Sequence, residues 1–256
     1  MASFKSLKKA SLATEVEAQI KSSIVAGRFN IGDKLPSERE LVEQFQVSRV
    51  TIREALRSIQ HLGLISIKRG IQAGAYVSDP NSGPITRSFQ NLIAMGKVTS
   101  ANLMDARLMI EPEVARMAAI QHTDEDIQKL AELLDSAERQ ARFSCKEARL
   151  INVHFHNEVA KIIQNPIILF ISESITQIFS AVLIEITQTE INEAKVLELI
   201  SHHRAILSAI ADRDAENSWA LTREHLLKTR EMYAGILLSS DKGTNLQAAS
   251  GVPIAQ

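Results

Sequence analysis

The stretch LPSERELVEQFQVSRVTIREALRSIQHLG, residues 35–63, decides the fold of the N-terminal part of the chain. Ser37, followed three residues later by Glu40, forms a capping box and predicts the start of a helix. After a short turn, Ser48 is a good N-cap for a second helix. Apolar residues of that second helix recur at helical spacing and predict a buried stripe. The stripe consists of Ile52, Leu56 and Ile59.

Arginines lie on a different stripe of the second helix. Arg49, Arg53 and Arg57 are spaced at i, i+4 and i+8, with Ser48 and Thr51 near the helix start. Arginine can pair with guanine edges or phosphate, and hydroxyl groups can bind phosphate, so this helix suits a DNA major groove. These residues alone leave open the alternative of a solvated arginine face on a surface helix.

The flanking residues complete a DNA-binding fold. Residues 13–27 predict a first helix closed by Gly27, and residues 63–68 and 75–77 predict two short paired strands. The loop between the strands, 69–74, has a basic tip and two glycines, and such a tip can reach a minor groove or a phosphate. Three helices followed by this hairpin predict a winged helix-turn-helix domain.

Charge and amino-acid composition divide the chain into two parts. Residues 1–80 hold 12 Lys or Arg against 8 Asp or Glu, whereas the remainder holds 17 against 22, so we expect only the front to meet a polyanion. The chain from about residue 85 to 240 is poor in glycine and proline, and its apolar residues recur at helical spacing. This pattern predicts an all-α bundle of about six or seven helices. The predicted fold is therefore mainly α. Its expected parts are a DNA-binding domain (1–79), a linker with the start of the first sensor helix (80–100), a helical effector-binding and dimerisation domain (101–238) and a disordered tail (239–256).

Composition excludes several classes of protein. The chain of 256 residues is 45% hydrophobic and has a single cysteine, which excludes a disulfide framework and a cysteine-rich zinc cluster. No apolar run approaches the roughly 20 residues that a membrane span needs. The N-terminus resembles neither a signal peptide nor an anchor, so we expect a cytoplasmic protein without a membrane partner.

Three histidines lie in helical contexts beside apolar neighbours. They are His156, His203 and His225, and Asn152 lies four residues before the first, on the same helix face. Neutral imidazole is the commonest metal ligand in proteins, and three of them with one oxygen suit zinc, nickel or another divalent ion. The alternative is that these are ordinary half-buried histidines. His154 and His202 face away from this set.

The segment 32–65 resembles the signature of GntR-type bacterial transcription regulators. The matching pieces are Leu35 to Leu41, Val47-Ser48-Arg49, Arg53 to Leu56 and Gly63-Leu64. The resemblance implies operator DNA as a partner. It also implies the DNA-contacting residues Arg39, Ser48, Arg49, Thr51, Arg53, Arg69 and Gly70. The wing departs from the family pattern, because Ile71-Gln72-Ala73 lengthens its glycine-rich end.

Residues 100–230 are similar to the helical, FCD-type sensor domain of the FadR-like branch of that family. The similarity includes Ala106 to Glu111, Phe155-His156, Asn165-Pro166 and His203 to Ile206. It implies a divalent metal, zinc in the first place with nickel or manganese as alternatives, which binds a carboxylate effector. The implied ligands are Asn152, His156, His203 and His225.

Two positions of this implied site need comment. Asn152 stands where the family has Asp, so the ligand set has one negative charge fewer and should bind metal more weakly. Arg107 matches an arginine that faces the effector, and it could fix a carboxylate with two hydrogen bonds. The alternative for Arg107 is an ion pair with Glu111, four residues on.

Together these observations predict a homodimeric regulator, a repressor rather than an enzyme. It is expected to bind a near-palindromic operator as a dimer and to release it when a small organic acid binds. Two other readings stay open. One is a metal-dependent enzyme built on the helical half, and the other is a DNA-binding protein without an effector.

Overall fold

A computed structural model describes residues 12–186 and 192–240. The chain forms two compact units, Met1–Pro84 and Ile85–Gln256. In the part of the chain that is described, no helix is long and apolar enough to cross a membrane.

The first unit is a small helical domain with a two-stranded antiparallel sheet. In the sheet Ile65 pairs with Val77 and Lys68 with Gly74, and a 3₁₀ turn, Gly70–Gln72, connects the strands. The other elements are α1 (Leu12–Val25), α2 (Glu38–Phe45), α3 (Arg49–His61), β1 (Ile65–Lys68) and β2 (Gly74–Val77).

Capping residues fix the turn between α2 and α3. The Ser37 side chain accepts a hydrogen bond from the Glu40 amide while the Glu40 carboxylate accepts one from the Ser37 amide, so the predicted capping box is confirmed. The Ser48 hydroxyl accepts a hydrogen bond from the Thr51 amide at the start of α3. Gln46 closes α2 in the left-handed conformation, with φ 54°. These local contacts therefore set where both helices begin and end.

The core of the first unit is built from the apolar faces of its helices and strands. The predicted stripe of α3 is confirmed, because Ile52, Leu56 and Ile59 are all buried. They pack with Val16 and Ile20 of α1 in one cluster. Helix α3 is thereby fixed by its buried face, and its opposite face stays at the surface.

The start of β1 differs slightly from the sequence prediction. The strand begins at Ile65 rather than at residue 63. Gly63 adopts φ +77°, and a Cβ at this position would lie 2.7 Å from Pro84. A turn conformation that favours glycine therefore precedes the strand.

Seven helices follow the sheet in the described residues. Helix α4 begins at the end of the first unit, and the others belong to the second. They are α4 (Gly83–Ala94), α5 (Ser100–Gln121), α6 (Asp124–Ala141), α7 (Cys145–Ile162), α8 (Pro166–Ile186), α9 (Glu193–Ala211) and α10 (Ala215–Ser240). The number of helices agrees with the predicted six or seven, and the mainly α fold is confirmed.

Two predicted boundaries need correction. The segment 80–100 contains a complete helix, α4, rather than only a linker and a helix start. The reason is that Pro84 lies in the first turn, where proline is compatible with a helix, and Phe89 and Ile93 pack into a core cluster of the second unit. The predicted disordered tail begins at 239, but α10 continues to Ser240. Residues 241–256 lie outside the described residues.

Helices α5, α6, α7 and α9 surround the main core of the second unit. Its fully buried side chains include Leu130, Leu134, Phe155, Ile200 and Ile206. Polar N-caps start all four of these helices: Thr99 for α5, Thr123 for α6, Ser144 for α7 and Asn192 for α9. The core fixes the rotation of each helix, and with it the polar side chains that point inward.

Candidate functional site

Four of the predicted DNA-contacting residues are placed together by the start of α3. Ser48 and Thr51 are linked through their hydroxyl oxygens, 2.9 Å apart, and Arg49 and Arg53 are exposed. Arg53 Nε lies 2.9 Å from Glu38 Oε2 of α2. Since exposed ion pairs contribute little to stability, Arg53 can exchange this carboxylate for another acceptor.

The remaining predicted contacts lie on α2 and the wing. Arg39 is 81% exposed and pairs with Glu43 through Nε and Oε1, 3.0 Å apart. Arg69 and Gly70 are exposed at the wing, where Gly70 adopts φ +83°. All seven predicted residues are thus presented by the first unit, and all but the partly exposed Thr51 are open to solvent.

Two exposed apolar residues in these elements were not singled out from the sequence. Val50 in the first turn of α3 is 66% exposed, and Ile71 in the wing is fully exposed. Their position inside the basic segments is the signal that could have identified them. Apolar side chains can contact thymine methyl groups in the major groove or enter a minor groove.

Three helices of the second unit bring their histidines to one point. His156 of α7, His203 of α9 and His225 of α10 are all buried. His203 Nε2 lies 3.1 Å from His156 Nε2 and 3.0 Å from His225 Nε2. Each histidine offers a ligand nitrogen, and these nitrogens lie within 4.8 Å of one another, as a metal site requires.

Oxygen atoms behind two of the histidines fix their orientation. His156 Nδ1 lies 2.8 Å from Glu111 Oε2, and His203 Nδ1 lies 2.6 Å from Asn152 Oδ1. An oxygen acceptor calls for a proton on the ring nitrogen that faces it, so each Nδ1 donates. In a neutral imidazole the other nitrogen, Nε2, then carries a lone pair. Glu111 and Asn152 therefore turn two lone pairs towards the same point.

This arrangement fits a cation. The facing Nε2 atoms of His156 and His203, 3.1 Å apart, cannot hydrogen-bond to each other when both are unprotonated. A tetrahedral zinc ion with bonds of about 2.0–2.1 Å holds its ligand nitrogens about 3.3–3.4 Å apart. The His156–His203 and His203–His225 nitrogen distances match this spacing after a shift of a few tenths of an ångström.

Burial keeps two of the three histidines neutral. It lowers the pKa of the imidazoles of both His203 and His225 well below the ordinary histidine value, and the nearby Arg107 guanidinium lowers it further. Neutral imidazole is the form that binds metal, so these two residues do not need to lose a proton before they can act as ligands.

The other predicted residues of this region take different places. Asn152 is buried at the site, but its amide oxygen contacts His203 Nδ1 instead of completing the group of Nε2 atoms. His154 is exposed, and the ring of His202 lies 5.8 Å from that of His225, outside the group of three.

Arg107 forms the ion pair with Glu111 that was one of its two alternatives, and it also faces a cavity. Its Nε lies 2.6 Å from Glu111 Oε1, and its guanidinium stacks over Phe179 at 4.3 Å. Arg107 also lines a narrow cavity beside the histidines. Its Nη1 is buried without a hydrogen-bond partner among the described residues, and this leaves one donor for a ligand.

The same cavity contains a residue that sequence reasoning missed. Arg149 of α7 is buried and lines the cavity together with Thr229 and the apolar side chains of Val153 and Leu199. Its spacing three residues before Asn152 is the signal that could have identified it, since i and i+3 share a helix face.

Comparisons with known proteins agree with both units. Residues 12–77 match the family described as "Bacterial regulatory proteins, gntR family", and residues 102–228 match the FCD domain. The Haemophilus influenzae Uxu operon regulator is 31% identical over 83% of this chain and 78% of its own length. The transcriptional repressor NanR of Klebsiella aerogenes is 31% identical, with coverage of 86% and 84%.

A solved structure shares the fold. Streptococcus agalactiae GntR superposes with a TM-score of 0.61 at 24% identity, and the match covers 86% of this chain and 99% of that one. The order of the elements, the two domain matches and the full-length relatives lead to one assignment. The chain belongs to the GntR family of bacterial regulatory proteins, and it is a DNA-binding transcription regulator with an FCD effector-binding domain.

Proposed function

We propose that this protein is a cytoplasmic, homodimeric repressor that binds a near-palindromic operator and releases it when a small carboxylate binds to a metal in the FCD domain. The convergence of three buried Nε2 atoms on one point is the observation that supports the sensor half of this proposal. Two-fold symmetry of a dimer matches two operator half-sites. Repression is the activity named for the relatives called NanR.

The DNA half of the proposal rests on the exposed face of the first unit. Arg49 and Arg53 at the start of α3 enter the major groove and read base edges. Ser48 and Thr51 contribute hydroxyl groups next to the helix N-terminus, which favours phosphate. Arg39, Arg69 and Gly70 contact the backbone or the neighbouring groove on either side.

The metal-binding part of the proposal rests on the ligand atoms that the three histidines offer. His156, His203 and His225 supply three neutral nitrogens, which suit zinc first and nickel as an alternative. Manganese prefers oxygen ligands and fits this set less well. Asn152 contributes through His203, whose Nδ1 it engages, and not as a direct ligand. When bound, the ion supplies Lewis acidity towards an oxygen of the effector.

Charge favours an anionic effector. Three neutral imidazoles leave both charges of a divalent ion uncompensated, and the Glu111 charge is already shared with Arg107. The unpartnered Nη1 of Arg107 offers a charge-assisted hydrogen bond to a carboxylate. The cavity beside the histidines has a volume of about 20 Å³, room for about one water-sized group, so the part of the effector that enters it is small.

Metal analysis tests the proposal first. The full chain is purified without chelator and without a metal-binding tag, as wild type, His156→Ala and the exposed control His154→Ala. We expect about one ion per chain in the wild type and in the control, and none in His156→Ala. A wild type without metal, or full metal content in His156→Ala, contradicts the proposal.

A second measurement separates a regulator from an enzyme. A DNA duplex selected by the wild-type protein from a random pool serves as the operator probe, and small carboxylates are screened for release of that DNA. The carboxylate that releases it should be recovered chemically unchanged after prolonged incubation. Consumption of the compound supports the alternative of a metal-dependent enzyme, because a regulator binds its effector without turnover.

A further inference from the structure

Glu111 contacts both groups on which the proposed sensor site depends. Its Oε1 lies 2.6 Å from Arg107 Nε, and its Oε2 lies 3.2 Å from Arg107 Nη2 and 2.8 Å from His156 Nδ1. All three residues are buried. One carboxylate thus bridges a cavity-lining guanidinium and a member of the histidine group.

The contacts of Glu111 determine which atoms its partners leave for a ligand. At His156 the Nδ1–H is donated to the carboxylate, and Nε2 remains for a metal. At Arg107 the carboxylate takes Nε and Nη2, and Nη1 remains as the donor without a partner in the described parts of the chain. Each partner is therefore oriented by Glu111 and keeps one atom available.

The carboxylate is held from two sides. It accepts two hydrogen bonds from the Arg107 guanidinium and one from His156 Nδ1–H. An ionised carboxylate behind a metal-binding histidine fixes its ring and increases its basicity. Stacking of Arg107 on Phe179 restricts the guanidinium from its other side.

We propose that Glu111 is a positioning residue that holds the metal-binding nitrogen of His156 and the anion-binding Nη1 of Arg107 in fixed relation to each other. This inference rests on the proposed metal site. It adds a residue that touches neither the ion nor the effector. Metal binding and anion binding therefore both depend on Glu111, and a change at this residue weakens both.

Zinc titration of the full, chelator-stripped chain tests the inference, with the metal alone as the probe. We expect Glu111→Gln to lower zinc affinity about tenfold, the low end of the range for an orienting partner, because the neutral amide keeps an acceptor for His156 Nδ1–H but loses the negative charge. Glu113→Gln is the matched control, because Glu113 lies two residues away on α5 and pairs with Arg116 at the surface. The control should bind zinc within about twofold of the wild type, because it leaves the partners of the ligand histidines in place.

A second variant covers the case in which Glu111→Gln does not fold because Arg107 is left as an unpaired buried charge. Arg107→Met combined with Glu111→Gln removes both charges, and Arg107→Met alone keeps the carboxylate on His156. The double variant should show the same loss of about tenfold, whereas Arg107→Met should lose less. In ¹⁵N-histidine spectra of the zinc-loaded protein, the His156 Nδ1–H signal should shift in both Glu111 variants and not in the control.

The outcomes distinguish a failure of the proposed metal site from a failure of the role given to Glu111. A wild type that binds no zinc overturns the metal site and the inference together. A wild type that binds zinc, with equal affinity in the double variant and an unshifted His156 signal, overturns only the role of Glu111.

Discussion

The start of α3 and the histidine site hold their polar groups in opposite ways. Arg53 and Arg39 rest on carboxylates at the surface, in ion pairs whose side chains are 43–81% exposed. His156 and Arg107 share a carboxylate in the interior, where the side chains are at most 10% exposed. Exposed pairs are worth little and exchange readily, whereas breaking a buried pair is costly. The surface residues are therefore free to rearrange on a partner, and the buried residues are set before a ligand arrives.

The largest expected effect is on metal affinity, when one of the three buried histidines is removed. Removing one of three ligands in His203→Ala should lower metal affinity several-hundredfold or more, since structural zinc sites gain roughly 10–16 kcal/mol from all their ligands. His202→Ala, one residue away and outside the group, is the control. Titration with zinc measures both variants. Equal affinities in the two would remove the distinction between the buried set and its neighbours.

The next effect is at the surface. Arg49→Ala should lose about 1–3 kcal/mol of operator binding without a change in thermal stability, because the side chain is exposed and packs against no core. Arg57→Ala lies two turns further along the helix, carries the same charge and should lose clearly less. Binding is measured by fluorescence anisotropy on the selected duplex at fixed salt. A matching loss in both variants would indicate charge alone and not groove recognition.

A smaller effect is expected at Asn152, which contacts one of the three histidines. Asn152→Ala removes the acceptor of His203 Nδ1, and we expect about tenfold weaker metal binding, at the low end for an orienting partner because the amide is neutral. With cobalt(II) in the site, the shape of the visible absorption spectrum should stay unchanged. A new spectrum shape would mean that Asn152 is itself a ligand, as the sequence first suggested.

The smallest effect tests how loosely the surface residues are held. Glu43→Gln removes the carboxylate paired with Arg39 and should tighten operator binding by less than about fivefold, the scale of an exposed ion pair. Thermal unfolding should not shift measurably. A tenfold or larger change would show that this surface pair controls binding as strongly as a buried one, and the contrast between the two regions would not hold.

The two regions also differ in how far the sequence predicts them. The α2–α3 unit is local: Ser37 with Glu40 and the apolar stripe of α3 lie within 23 residues, and their contacts follow from helix geometry. The fold class of the chain follows from the same periodicity. Helix α4 was not predicted as a whole because Pro84 suggests a break unless its place in the first turn is known.

The histidine site depends on tertiary structure. His156 and His203 are 47 residues apart and His203 and His225 are 22 apart, so their convergence requires the packing of three helices. The resemblance to a family supplied the grouping, but neither the resemblance nor the spacing showed that Glu111 bridges His156 and Arg107. Spacing does predict that Arg107 and Glu111 meet, because i and i+4 share a helix face. It carries no information about the third partner, which comes from another helix.

The burial of the histidines affects how fast a bound ion exchanges, rather than how tightly it is bound. His156, His203 and His225 are exposed by only 7%, 1% and 4%, so an ion held among them meets solvent through the narrow cavity that Arg107 and Arg149 line. A chelator too bulky for this cavity has to wait for a local opening of the helices, and the rate of that opening then limits loss of the ion. Such a chelator should strip the protein at a rate that does not depend on chelator concentration. An ion taken up at folding would remain through many rounds of DNA binding, so the regulator would report on its small-molecule effector and not on passing changes in free metal.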